Sequence, residues 1–279
     1  MESEELGCGG TVACLTLDSH WDPEAEIILG HGAYGSNSFG LGVGIFGSHT
    51  THAWPACAEE IAEKFLDTTA IDTSILANDA GEGGEYWQAA NIGMGALFHM
   101  AAMAMWIDSG PTGIIQRGYK HFSRAFMAKE PGHEGPIKQG DEGRAHLNRL
   151  SAVGLRHHPC LRMPGDVISE MAVEFISATD DGVVIHSKTG VILVEVLVNN
   201  KHCTHMEYTA ENFGRRQSGQ IPAEADEAAA VFPTQIALSR DRLRGLVGEL
   251  AESDEVVLSV TSLNRDWPQQ REIRRLAKL

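Results

Sequence analysis

The chain has 279 residues, 43% of them hydrophobic and 22% charged, enough for a sizeable globular core in one large domain or two small ones. Its formal net charge of −16 disfavours broad nucleic-acid binding and attachment to anionic membrane surfaces. The five cysteines, Cys8, Cys14, Cys57, Cys160 and Cys203, are odd in number and widely spaced. That argues against a disulfide framework or a Cys-rich zinc module and fits a reducing, cytoplasmic setting.

The acidic start Met1-Glu2-Ser3-Glu4-Glu5 lacks the basic opening of a signal peptide. Residues 11–17 read as a first strand, and residues 25–29 as a second after the turn signal Asp22-Pro23. Residues 30–47 hold seven glycines and end in a strand over 41–46. Pro55 opens a helix to about Leu66, with Ala58, Ile61, Ala62, Phe65 and Leu66 as its apolar stripe. Residues 71–76 read as another strand. A long helix runs from about Tyr86 to Ile107 and stops before Gly110-Pro111, and a third helix covers 113–127. Residues 89–107 carry no charge and are long enough to span a bilayer, but Ala, Gly and Met predominate and Asn91 and His99 interrupt them, so a buried helix is expected.

Residues 129–143, rich in Gly, Pro and charge, read as a linker or a mobile loop. Beyond them, 172–176 reads as a strand, and 183–186 and 191–198, joined by Ser187-Lys188-Thr189-Gly190, as a β-hairpin. Ser239 caps a short helix with the stripe Leu243, Leu246, Val247 and Leu250, and 255–261 is a late strand. The tail from Arg265 holds five of the 22 basic residues. The expected class is α+β in one compact unit: a glycine-rich strand and helix part over 1–128 carrying the candidate site, the loop 129–143, and a hairpin-containing part over 144–279.

The chemistry concentrates around His49 and His52, in Gly47-Ser48-His49-Thr50-Thr51-His52-Ala53-Trp54-Pro55, between a strand and a helix start. Strand ends before helices are frequent sites of chemistry. Two imidazoles at this spacing can share a divalent ion, zinc or iron, which needs about three protein ligands and an open position. Asp79 is the candidate third ligand, with His20, His31, Glu82 and Glu85 as alternatives. His20, in Asp18-Ser19-His20-Trp21-Asp22 at another strand end, is a candidate base beside His49 and Glu85. His31, Ser48 and Trp54 are candidate substrate contacts. Against these stand plainer readings: a packed His49, a turn at residues 18–22, and a solvated loop at 78–85 whose acids favour the helix N-terminus. His99 reads as a satisfied core histidine among methionines that fill space. His202 and His205 would face opposite sides of a continuing strand and need a bend to meet.

The chain has no phosphate loop, no Gly-x-Ser-x-Gly elbow and no His-Glu-x-x-His. Ser48-His49 with His52-x-Trp54-Pro55 resembles the self-processing segment of pyruvoyl-dependent S-adenosylmethionine decarboxylases, although the histidines are one residue too close and Ala56 replaces a Glu. Ser19-His20-Trp21 after a strand resembles class III extradiol dioxygenases. Neither likeness reaches beyond its short segment. The reading that follows is a metal-dependent enzyme of hydrolase, lyase or dioxygenase type acting on a small molecule. The alternatives are a metal-free acid–base enzyme using His49 or His20, and a non-enzymatic oligomeric subunit. No nucleic-acid or membrane partner is expected, and the long uncharged helix is compatible with a homo-oligomer.

Overall fold

A computed structural model of the chain describes residues 10–38, 41–78, 83–105, 107, 112–138, 145–161, 174–179, 181–208, 232–249, 251, 253–262 and 272–276. They form helices and several small sheets, the α+β class expected from the sequence. Contacts divide the chain into two compact units, Met1–Ala152 and Val153–Leu279.

In the first unit, β1 (Gly10–Thr16) and β5 (Leu41–Gly47) pair in parallel, and β4 (Ala33–Ser38) pairs antiparallel to β5 on its other side. Between β1 and β4, β2 (His20–Asp22) and β3 (Ile27–Leu29) make a small hairpin. Its turn is closed by Asp22 Oδ1, which accepts from the backbone of Glu24 at 3.0 Å and Ala25 at 3.1 Å. The helix α2 (Tyr86–Ala104) lies on the three-stranded sheet. The glycines of β4 and β5 explain how closely it lies. A Cβ on Gly44 would stand 2.7 Å from the Met100 carbonyl oxygen, and one on Gly35 would stand 2.5 Å from Met103 Cβ. No helix among the described residues is long and apolar enough to cross a membrane.

Several local expectations change. The helix from Pro55 shrinks to a 3-10 turn, Ala58–Glu60, followed by α1 (Ile61–Lys64). Residues 71–76 form a turn instead of a strand. Asp72 Oδ1 takes the Ser74 amide at 3.0 Å and hydroxyl at 2.6 Å, and the Asp72 carbonyl takes the amides of Ile75 and Leu76. Side-chain capture of the backbone here outcompetes strand pairing, which survives only as the bridge between Ala70 and Glu85. The third helix is a 3-10 segment, Arg117–Ala125, kinked at His121. Within it the Ser123 amide donates to Asn91 Oδ1 of α2 at 2.6 Å, so a donor that an α-helical ladder would use is taken by a buried side chain. Near its end, the Arg124 guanidinium forms a bidentate pair with Glu130, both bonds 2.7 Å, and beyond it the Ile137 amide donates to the Ala128 carbonyl.

The second unit contains two antiparallel sheets. In one, β7 (Gly182–Ser187) lies between β6 (Glu174–Thr179) and β10 (Gln235–Ser239). In the other, β8 (Val191–Val198) and β11 (Val256–Ser262) are central, flanked by β9 (Lys201–Glu207) and β12 (Glu272–Leu276). Both supply one core, including Ile185, Leu238, Val194, Val196, Leu258 and Val260. The expected hairpin of 183–186 with 191–198 is not formed, although both strands are. The chain between them bonds to 233–234, with Ser187 N on the Thr234 carbonyl and Val191 N on that of Pro233, and so passes from one sheet to the other. β8 instead turns into β9 through Asn199 and Asn200, both at positive φ, 52° and 62°, as a type I′ turn demands. α3 (Arg149–Arg156) precedes this unit's strands, and α4 (Arg240–Val247) is capped by Ser239 Oγ as expected.

Candidate functional site

Parallel neighbours that end level bring the residues following them together. The register of β1 on β5 ends at Thr16 opposite Gly47. Three residues past β1, Ser19 is buried, and two past β5, so is His49. Ser19 Oγ and His49 Nδ1 are in hydrogen-bond contact at 3.1 Å. Gly47 makes this contact feasible, because a Cβ there would stand 2.6 Å from His49 Nδ1 and also against Ser19 Oγ. Phe46 and the exposed His31 both pack on the His49 ring, with centroids 5.2 Å and 4.9 Å from it, and meet each other edge to face at 5.7 Å.

His49 and His52 share the 3-10 segment Ser48–Ala53. His52 Nδ1 donates to the His49 carbonyl at 3.1 Å, which leaves its Nε2 buried and without a hydrogen-bond partner. Its ring meets Tyr86, the first residue of α2, edge to face at 5.5 Å. Burial is the main reason that the His52 pKa lies below its ordinary value. Charge repulsion from His49 and Lys64 pushes the same way, and the bond to the His49 carbonyl opposes it. Thr50 Oγ1 and Trp54 Nε1 are likewise buried without partners, both against Gly93 of α2.

The other candidates are placed as follows. Ser48 Oγ donates to the Ser19 carbonyl at 3.3 Å, which tightens the same corner. His20 is exposed, with Nδ1 donating to the Asp18 carbonyl at 2.7 Å. Glu85 is the N-cap of α2, and its carboxylate accepts from Trp87 Nε1 at 2.6 Å. Asp79 and Glu82 lie outside the described residues. His99 Nδ1 donates to the Ile115 carbonyl, and its ring stacks on Tyr119. His158 Nδ1 accepts from the Cys160 amide at 3.2 Å. On β9 a bulge at Cys203, where Val196 faces Thr204 and Leu197 faces His202, supplies the bend that brings His202 and His205 to 5.5 Å. Ser19, Gly47 and Tyr86 are not among the site residues that the sequence suggests. Ser19 lies in a turn-forming segment, but its partner 30 residues on is found only through the pairing of β1 with β5.

A metal-ligating imidazole has one ring nitrogen oriented by a carbonyl, carboxylate or other acceptor and the other facing the ion. His52 has this arrangement, and Ser19 orients His49 in the same manner. Among the described residues no three His, Cys, Asp or Glu side chains converge to hold a metal ion. Each imidazole alone is oriented by a bond to one ring nitrogen. The buried contact of Ser19 with His49 is also the geometry of a hydroxyl beside a general base.

Residues 5–196 match the family described as "Putative peptidase family", and the chain belongs to that family. A Saccharomyces cerevisiae protein named "putative zinc metalloproteinase" is 31% identical over 226 residues, 72% of this chain and 32% of its own length. A Schizosaccharomyces pombe protein of the same description is 32% identical over 198 residues, 67% of this chain and 32% of its own. The chain thus spans about a third of these curated relatives, and no solved structure matches it. The membership sets aside the local likenesses to decarboxylases and dioxygenases. The relatives' names agree with the metal-dependent class expected from the sequence, and of the hydrolase, lyase and dioxygenase types left open there they favour the hydrolase.

Proposed function

We propose that this chain carries a divalent-metal hydrolase centre where β1 and β5 end, with zinc as the metal and a peptide as the substrate. His49 and His52 are the ligands, completed by Asp79. When bound, zinc would lower the pKa of a water molecule and polarise a carbonyl oxygen. The chain's own residues prepare the place: Ser19 orients His49, the His49 carbonyl orients His52, and Phe46 and Tyr86 wall the rings. In this reading His20 and Glu85 are the proton-transfer candidates, and His31, Ser48 and Trp54 meet the substrate. Family membership supports the hydrolytic class and favours a peptide over the small molecule expected from the sequence. The single observation that carries the location is the His52 ring, with one nitrogen oriented and the other buried and bare.

The test is elemental analysis with peptide-library cleavage, on wild type and on the double variant His49→Ala/His52→Ala. About one zinc per chain and chelator-sensitive cleavage, both lost in the variant with its circular dichroism retained, support the proposal. Zinc retained in the variant refutes it. The Ser19–His49 bond favours one second reading, a metal-free acid–base site, which predicts cleavage insensitive to chelator and abolished by Ser19→Ala.

A further inference from the structure

Zinc peptidases commonly place two ligands and the general base on one helix as His-Glu-x-x-His, because positions four apart share a face. The long helix of this chain is α2, and it contains one histidine, His99. Taken as the first ligand, His99 opens the frame His99-Met100-Ala101-Ala102-Met103. Taken as the second, it closes Gly95-Ala96-Leu97-Phe98-His99. Both frames lack the glutamate and the other histidine. A thioether cannot accept a proton from water at neutral pH, and it is a soft ligand better suited to Cu(I) than to a hydrolytic zinc.

The packing around both frames agrees. His99 stacks on Tyr119 with ring centroids 5.6 Å apart, and its Nδ1 donates to the Ile115 carbonyl, a bond that a metal ligand could also make, so the missing glutamate and second histidine decide against a zinc helix. Met103 Cβ and the Met100 carbonyl are seated against Gly35, and the Met100 carbonyl also against Gly44, so this turn rests on sheet backbone. At position 95 a Cβ would collide with the Tyr119 carbonyl, so no ligand side chain fits there.

We infer that α2 is a scaffold and not a zinc helix. This member of the peptidase family has no His-Glu-x-x-His centre, and any metal-dependent hydrolysis it performs proceeds without His99. The inference stands whether or not the β1–β5 corner binds zinc.

The experiment compares zinc content and circular dichroism of the wild-type chain, His99→Asn, which keeps a donor for the Ile115 carbonyl, and His49→Ala/His52→Ala. The expected result is a zinc content in His99→Asn equal to that of wild type. Zinc present in wild type and lost from a folded His99→Asn overturns the inference. A wild type with no zinc upholds it while the proposed function fails, and zinc lost only from the His49/His52 variant upholds both. Should His99→Asn not fold, the ring 15N shifts of wild type on zinc addition decide the matter: unmoved His99 nitrogens support the scaffold role, and a coordination shift at His99 overturns it.

Discussion

At the scale of single residues, the corner at the ends of β1 and β5 depends on Gly47. Alanine there would press a methyl between Ser19 Oγ and His49 Nδ1. Overpacking of this kind costs about 1–3 kcal/mol, so Gly47→Ala should lower the unfolding free energy read from urea denaturation by that amount and weaken metal retention together. A second residue-level prediction concerns His121. Burial, then Arg124 and also Lys120, hold its pKa below the ordinary value, with Glu130 opposing. The folded state therefore binds fewer protons than the unfolded chain in the window between the lowered value and about 6.5, and stability falls as pH drops through it. His52 contributes in the same direction, so the comparison is wild type against His121→Asn. The wild type should lose more stability on acidification, and equal losses would remove His121 from the account. That His49 and His52 share one segment directly after a strand could be read from the sequence. The part of Ser19 could not, because a contact across 30 residues follows from sheet order and not from local pattern.

At the scale of elements, the glycines of β4 and β5 are a docking surface for α2. Gly44→Ala would set a methyl 2.7 Å from helix backbone that cannot swing aside, so a loss of about 1–3 kcal/mol is expected in thermal unfolding. The pair of Arg124 and Glu130 ties the loop after Ala125 to the segment before it, with side chains 10% and 6% exposed. Glu130→Ala leaves a buried guanidinium without its carboxylate and should cost about 3–5 kcal/mol by urea denaturation. Asn200 occupies a positive-φ turn position where glycine is freer, so Asn200→Gly should stabilise the second unit by roughly 0.5–1 kcal/mol, read as a raised midpoint. Long periodic elements were readable: α2, β5, β8, β11 and the Ser239-capped helix lie where their patterns put them. Elements decided by competition for the backbone were not. Asp72 captured the amides of an expected strand, Asn91 captured Ser123, and residues 187–191 paired with a segment more than 40 positions away.

At the scale of the whole molecule, the chain belongs to a peptidase family, yet its long helix lacks the ligand pattern by which such enzymes are most easily recognised. The family match ends at residue 196, within β8, so the first compact unit lies almost wholly inside it and most of the second unit follows it. The charge and the α+β class could be read from composition and periodicity alone. The family could not, because the usual signature is absent from the sequence. We propose that a metal in this chain belongs to the imidazoles at the strand ends and not to α2. It is tested most directly by anomalous diffraction at the zinc edge from crystals of the zinc-loaded protein. The expected result is a peak about 2.0–2.1 Å from His52 Nε2 and shared with His49. A peak on His99, or none at either place, would contradict it.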